Sequence, residues 1–331
     1  SDPNSSAVTP IEDIRMLGVS KDFFFDGMQL PASIFLRMKK DTFLLIGKRG
    51  DKVNFTELHS FRSPGTVVFV KKDEHTALMQ YITLVTEKMV NQKNLPPAIK
   101  GKFISGLMDS AVKTFDGKGF ANVAQLERVS AMILAVGESL SQFDQVMEML
   151  NSLPTGEAKH SMSTCLVSLM LAEEMELSHK ASQEKLTMGA LLHDIGLRHV
   201  PPEILNKPKH LWTPDDQKTF EMHPLKSVEM LRDIRDISND VLLIVAEHHE
   251  NSLGTGFPKR LRDVKLSPLG KIVALANCFS DLLFHRTAEG KDYTADEAIS
   301  YIEDILGQPY NKAAFLALKN IINKKHLADK T

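Results

Sequence analysis

The sequence is poor in cysteine. Cys165 and Cys278 are the two present in 331 residues, and they lie far apart. No disulfide framework can be drawn from them, which fits a reducing cytoplasm. Long apolar runs are also missing. No stretch reaches the length a bilayer-spanning helix needs, and no signal-peptide pattern opens the chain. Charge of one sign is missing too. Forty Lys and Arg stand against 42 Asp and Glu, a formal net charge of -2. That balance excludes a broad basic surface for duplex DNA. The first half has no glycine-rich phosphate loop and no evident nucleophile set. It is also short of histidine, since His59 and His75 are the only ones before residue 150 and ten of the twelve follow it. What remains is ordinary for a globular protein, 43% hydrophobic and 25% charged, with length enough for two cores.

The segments Ser33–Arg37, Thr42–Ile46 and Thr66–Val70 read as short strands separated by turn residues. From Glu74 the apolar spacing becomes helical, with Leu78, Ile82, Val85 and Met89 on one face. Further helices are expected at Ala98–Phe115 and Val123–Leu150. The run NSLPTG, Asn151–Gly156, breaks the pattern with Pro and Gly and marks the expected boundary between a domain at 1–150 and one at 151–331. Beyond it, helices are expected over 157–177, 182–195, 214–232, 237–250, 267–286, 294–305 and 311–324. The fold expected is mainly α: a C-terminal all-helical bundle, preceded by a small N-terminal α/β domain. The opening SDPNSS reads as a tail outside that fold.

The chemistry lies where polar residues interrupt apolar helices. His160 opens one helix, His193 and Asp194 end another in LLHDIG, His223 precedes Pro224, and His248 and His249 close VLLIVAEHHE. Asn277 lies inside KIVALANCFSDLLF. Ionisable groups sit in such helices when they are paired or bound to metal. Neutral imidazoles with one carboxylate suit borderline divalent ions such as iron, manganese, zinc or nickel. With no cysteine among them, a structural zinc knuckle does not fit. The two oxygens of Asp194 can serve two ions. Two such ions act as Lewis acids on a phosphate oxygen and activate water, which is the chemistry of phosphodiester hydrolysis. His179, His199, His210 and His285 fall outside the pattern and read as surface or packing residues. Cys165 and Cys278 read as small core residues.

The run HDIGLRHVPPEILNKPKHLWTPDDQKTFEMHP, followed by AEHHENSLGTGFP, resembles the HD-GYP family of the HD phosphohydrolase superfamily, bacterial cyclic-di-GMP phosphodiesterases. The resemblance covers roughly residues 157–290. It implies that His160, His193, Asp194, His223, His248 and His249 are metal ligands, with Asp194 bridging. Asn277 stands where the family has an aspartate ligand. Arg286 stands where it has an arginine that contacts substrate phosphate, so Asp194 and Arg286 are the catalytic candidates. Gly256, Phe257 and Pro258 occupy the signature tripeptide and join Arg286 as substrate-binding candidates. The implied cofactors are two divalent ions, iron first and manganese second. The chain also departs from the family. Phe257 replaces the signature tyrosine, Leu197 a lysine, Leu253 an acidic residue, and Ala288 and Glu289 a tyrosine and a lysine. Gly156 replaces a glutamate that supports a third metal in some members, with Glu157 next to it.

The function expected is therefore hydrolysis of cyclic-di-GMP to linear pGpG or GMP at a dinuclear metal centre. Because the departures fall on substrate contacts and spare the ligands, the alternative is a metal-containing sensor or adaptor that binds cyclic-di-GMP with little turnover. Its partners would be second-messenger signalling proteins reached through the 251–258 loop or the N-terminal module. A scaffold in which metal only stabilises the fold ranks last.

Overall fold

The computed structural model describes residues 8–24, 27–54, 67–115, 120–140, 142–284 and 292–328. By contacts between Cα atoms the chain forms two compact units. One comprises residues 1–95 and 102–110, the other 96–101 and 111–331.

The first unit is built on a five-stranded antiparallel sheet. Its strands are β1 (Val8–Pro10), β2 (Met16–Ser20), β3 (Ile34–Lys39), β4 (Thr42–Gly47) and β5 (Val67–Lys71). Their order across the sheet is β1-β4-β3-β5-β2. The three strands legible in the sequence are β3, β4 and β5. The two edge strands were not legible. β1 has only three residues, and β2 carries Gly18 at its centre and pairs with β5, its partner from far along the chain. Met16, Phe35 and Phe43 form the core of the sheet, with Ile11, Leu45 and Phe69 packed against them. The Phe43 and Phe69 rings meet edge to face at 5.3 Å, a favoured arrangement of aromatic quadrupoles. Helix α1 (Lys72–Val90) follows β5 directly and packs on β5 and β2. It buries Leu78, Met79, Ile82, Thr83, Thr86 and Val90. The face is thus turned from the one expected, with Val85 and Met89 only half-buried.

Helix α2 spans Pro97–Thr114. The helical unit continues with α3 (Phe120–Ser139), α4 (Phe143–Asn151), α5 (Glu157–Glu174) and α6 (Lys180–Leu192). The expected helix over 123–150 is therefore two. Both pack on α5, so the helical unit takes in chain upstream of Asn151–Gly156. After α6 come α7 (Pro202–Leu205), α8 (Pro214–Glu221), α9 (His223–Leu231) and α10 (Asn239–Glu247). The unit ends with α11 (Pro268–Leu283), α12 (Ala295–Ser300) and α13 (Lys312–Ala328). The single helix expected over 214–232 breaks at Met222. Pro224 lies in the first turn of α9, where its missing N–H costs nothing. Helix α5 is the hub, buried on nearly every side from Lys159 to Ala172 and packed against α11, α6, α3 and α13. A helix buried all round carries no polar face. Two of its hydroxyls are accommodated internally: Thr164 Oγ1 donates to the His160 carbonyl at 3.0 Å, and Ser163 Oγ pairs with Ser280 Oγ at 2.7 Å. Among the described residues no helix is long and apolar enough to cross a membrane.

Candidate metal centre

Five helices deliver the expected ligands to one point. His160 comes from the first turn of α5, and His193 and Asp194 from the end of α6. His223 opens α9, while His248 and His249 end α10. Asn277 lies within α11. The chain arrives correctly because α6 stops at Leu192 and tightens into a 3₁₀ turn at Ile195–His199. Gly196 permits this, since a Cβ there would lie 2.2 Å from the His223 carbonyl oxygen and 2.6 Å from the Ser227 nitrogen. The Ser227 hydroxyl accepts from Gly196 N–H at 2.8 Å and donates to the His193 carbonyl at 2.9 Å, locking the turn to α9.

Asp194 is the centre of two lobes. Oδ2 faces His193 Nε2 at 3.2 Å and His160 Nε2 at 3.8 Å. Oδ1 faces His223 Nε2 at 3.2 Å and His248 Nε2 at 3.5 Å. Between the imidazoles the spacings are equally short, 3.1 Å from His160 Nε2 to His193 Nε2 and 3.0 Å from His223 Nε2 to His248 Nε2. The outer ring nitrogens decide what these contacts are. Nδ1–H of His193 donates to the Ala190 carbonyl, that of His223 to Phe220, and that of His248 to Val245, each at 2.7 Å. With the proton on Nδ1, Nε2 presents a lone pair inward. Nitrogen lone pairs 3.0 Å apart repel unless a cation lies between them. For bonds of about 2.1 Å at right angles, the edge between two ligands is about 3.0 Å. The donor set therefore fits divalent ions, grouped as His160, His193 and Asp194 on one side and Asp194, His223, His248 and His249 on the other.

Asn277 lies against the first lobe. Its Oδ1 lies 2.9 Å from His160 Nε2, and its Nδ2 lies 3.5 Å from His249 Nδ1. Burial and charge agree with this arrangement. His160, His193, His223 and His248 are buried, while Asp194 and His249 are partly exposed, so the opening is on their side. Burial pushes the pKa of His248 down to about 4 and that of His249 well below its usual value. Burial also opposes ionisation of Asp194. The surrounding imidazoles, His193 first, overcome it and hold the carboxyl well below its ordinary range.

Several residues that build the site were not read from the sequence. Asp281 lies one turn beyond Asn277 and places Oδ1 3.3 Å from His160 Nδ1, a carboxylate behind a ligand imidazole. A lone acid at i+4 in an apolar helix was the available signal. Glu247 accepts from Ser267 N–H at 2.8 Å and from its hydroxyl at 2.7 Å, joining the end of α10 to the start of α11. Glu250 accepts from the backbone of Lys259 at 2.6 Å and Leu261 at 2.8 Å, which pins the loop after the signature tripeptide. That tripeptide folds back on His249. The Phe257 N–H donates to the His249 carbonyl at 3.1 Å, and the Phe257 ring stacks on the His249 imidazole at 4.4 Å. A Cβ on Gly256 would meet the same carbonyl at 2.4 Å. Arg198, beside Leu197, does not face the centre. Its guanidinium donates to the backbone carbonyls of Phe115 and Val112. Arg286 lies outside the described residues, as do Ala288 and Glu289.

Comparison with known proteins places the same part of the chain in a family. The HD domain family matches residues 144–313. A cyclic di-GMP phosphodiesterase of Pseudomonas aeruginosa is 35% identical over 140 residues, 42% of this chain and 33% of that protein. One from Thermotoga maritima is 30% identical over 198 residues, covering 56% and 52%. A 3'3'-cGAMP-specific phosphodiesterase of Vibrio cholerae is 26% identical over 166 residues, covering 50% and 35%. The chain thus spans roughly a third to a half of these relatives' lengths. A solved HDG"Y"P protein of Bdellovibrio bacteriovorus shares the fold, with a TM-score of 0.71 over 93% of this chain and 99% of that one, at 19% identity. The family match covers just over half of the chain, so the chain belongs to the HD domain family and, within it, is similar to the HD-GYP type, carrying Gly-Phe-Pro in place of Gly-Tyr-Pro.

Proposed function

We propose that the protein is a metal-dependent phosphodiesterase that hydrolyses cyclic-di-GMP to linear pGpG or GMP. The observation that carries the proposal is the carboxylate of Asp194, shared between two lobes of inward imidazole lone pairs. His160, His193, Asp194 and Asn277 would hold one ion, and Asp194, His223, His248 and His249 the other. Their mixed nitrogen and oxygen donors suit iron first and manganese second. When bound, the pair supplies Lewis acidity toward a phosphate oxygen and activates water. The chain's own residues prepare this. Burial keeps His248 and His249 neutral, with their lone pairs available. The Nδ1–H bonds to backbone carbonyls fix each tautomer and aim each ring. The Phe220 and Phe257 rings pack beside His249 and exclude water from one wall of the opening. Arg286 and the Gly256–Pro258 loop would contact the substrate. The names of the curated relatives support a cyclic dinucleotide as substrate class.

The test is incubation of metal-loaded protein with cyclic-di-GMP and chromatographic separation of the nucleotides. Linear product from the wild type and none from Asp194→Ala is expected. Absence of product, with Asp194→Ala indistinguishable, would refute the activity. Leu197 and Phe257 favour a second reading, a cyclic-di-GMP sensor with little turnover. Leu197 brings no charge to the turn after Asp194, and the Phe257 ring has no hydroxyl. Calorimetric binding without product would select it. In either case the N-terminal unit, which contributes no residue to the metal clusters found among the described residues, would serve regulation or docking.

A further inference from the structure

Helices α3 and α6 pack on one another, and between them, beside the start of α10, lies an open groove of about 680 Å³. Its floor is apolar. Leu134 and Val241 are buried there and Met188 is half-buried. Its walls are low, because Ala131 and Ala135 of α3 and Ala181 of α6 are exposed and end at Cβ. Small residues on a helix face let the side chains of another helix settle close to the backbone. The rim is acidic. Glu127 and Glu138 stand at the two ends of the α3 face, about 17 Å or three turns apart along the helix. Glu184 of α6 and Asp236, just before α10, line the same groove. All four carboxylates are exposed, and none makes an ion pair among the described residues. Two lysines share the rim. Lys185 donates to Asp240, which leaves Lys180 against the four acids.

The charge selects the occupant. A nucleotide, or the headgroups of an acidic bilayer, would meet like charge here. A second copy of the chain would bring the same acids to the same face, since a two-fold interface pairs a patch with itself. A helix with one apolar stripe flanked by lysines or arginines satisfies both parts of the groove. Its stripe covers the floor, and its cations reach the rim.

We propose that the α3–α6 groove is a docking site for a cationic amphipathic helix of a partner protein. Aliphatic side chains of that helix lie over Ala131 and Ala135, and its basic side chains meet Glu127, Glu138, Glu184 and Asp236. The proposal stands apart from the phosphodiesterase reading, because no residue of the groove belongs to the metal clusters.

The probe is a fluorescein-labelled helical peptide of about 18 residues, with leucines at i, i+3, i+4 and i+7 spacing and lysines on the other face. Fluorescence anisotropy reads its binding to the metal-loaded full chain. Two control peptides carry glutamates for the lysines or alanines for the leucines, and each should bind at least about tenfold more weakly. In the protein, the double variant Glu127→Lys with Glu138→Lys should weaken the leucine-lysine peptide about tenfold or more and flatten its salt dependence. Ala135→Trp fills the groove without changing charge and should weaken the peptide as much. Glu203→Lys with Asp304→Lys makes the same charge change at exposed acids that do not line the groove, and should bind as the wild type does. Metal content and melting temperature should be unchanged in all three. Failure of the leucine-lysine peptide to bind overturns the proposal. So does binding that stays within about twofold of the wild type in Ala135→Trp, or an equal loss in the Glu203 and Asp304 control, which would mean that net charge alone is read. Self-association of the wild type in sedimentation, abolished by Ala135→Trp, would assign the groove to a second copy and overturn it as well.

Discussion

Asp281 gives the sharpest test of how the centre is built. Its carboxylate oxygen lies 3.3 Å from His160 Nδ1, while His160 Nε2 faces inward to His193, Asp194 and Asn277. The other three buried imidazoles are aimed by neutral backbone carbonyls. His160 Nδ1 instead has a carboxylate nearby, and the negative charge favours the proton on Nδ1 and makes Nε2 a better donor to metal. Removing such a partner typically costs ten- to a hundredfold in metal affinity, or about 1.4–2.7 kcal/mol. Asp281→Ala should therefore weaken the ion in the His160 lobe by that factor and leave the His223 lobe nearly intact. Asp281→Asn keeps the size and polarity of the side chain but loses its charge, and should fall between. Competition with a chelator, read as ions retained per chain, resolves the two positions as two steps. One step should move in Asp281→Ala and the other should hold. Two unmoved steps, or two steps moving together, would refute the assignment of Asp281 to His160.

Metal-free protein should lose stability as the pH falls from about 6.5 to about 4. His248 is held neutral by burial, with a folded pKa of about 4, and His249 is depressed as well, so the unfolded chain binds more protons in that window. Their stabilising contribution is complete above pH 6.5 and vanishes below the folded pKa. Urea midpoints measured from pH 7.5 to 4 would show the decline, and a flat profile would contradict it. Gly196→Ala should destabilise by about 2–3 kcal/mol or more and lower metal content, because the new Cβ meets the backbone of His223 and Ser227 rather than a movable side chain. Denaturant unfolding with metal analysis measures both, and a wild-type midpoint would count against the close approach described. Adding iron or manganese to the stripped protein should raise its melting temperature as ion concentration exceeds the dissociation constant. Asp194→Ala should abolish most of that rise, and an equal rise in both proteins would argue against the shared carboxylate.

Much of the site was legible because its residues break a strong background rule. Histidines at the ends of apolar helices are conspicuous, and His160, His193, Asp194, His223, His248 and His249 could be picked out before any fold was known. Supporting residues were harder to see. Asp281 and Glu247 have ordinary chemistry, and their roles depend on which helix faces them. Helix boundaries failed where packing overrides periodicity. Met222 reads as mid-helix, but Pro224 and the need to turn His223 inward divide the run in two. Strand β2 was invisible because its partner among the described residues, β5, lies far along the chain.

By itself the sequence determined the donor inventory, its order along the chain and the mainly helical class, since residue type and periodicity are local properties. Tertiary structure alone decided that Asp194 divides its two oxygens between two lobes and that Asp281 backs His160. It also decided that Arg198 turns away to α2 while α3 and α6 leave an acid-rimmed groove between them. Those outcomes depend on distances between helices, and distances between helices are set by packing that no local stretch of chain encodes.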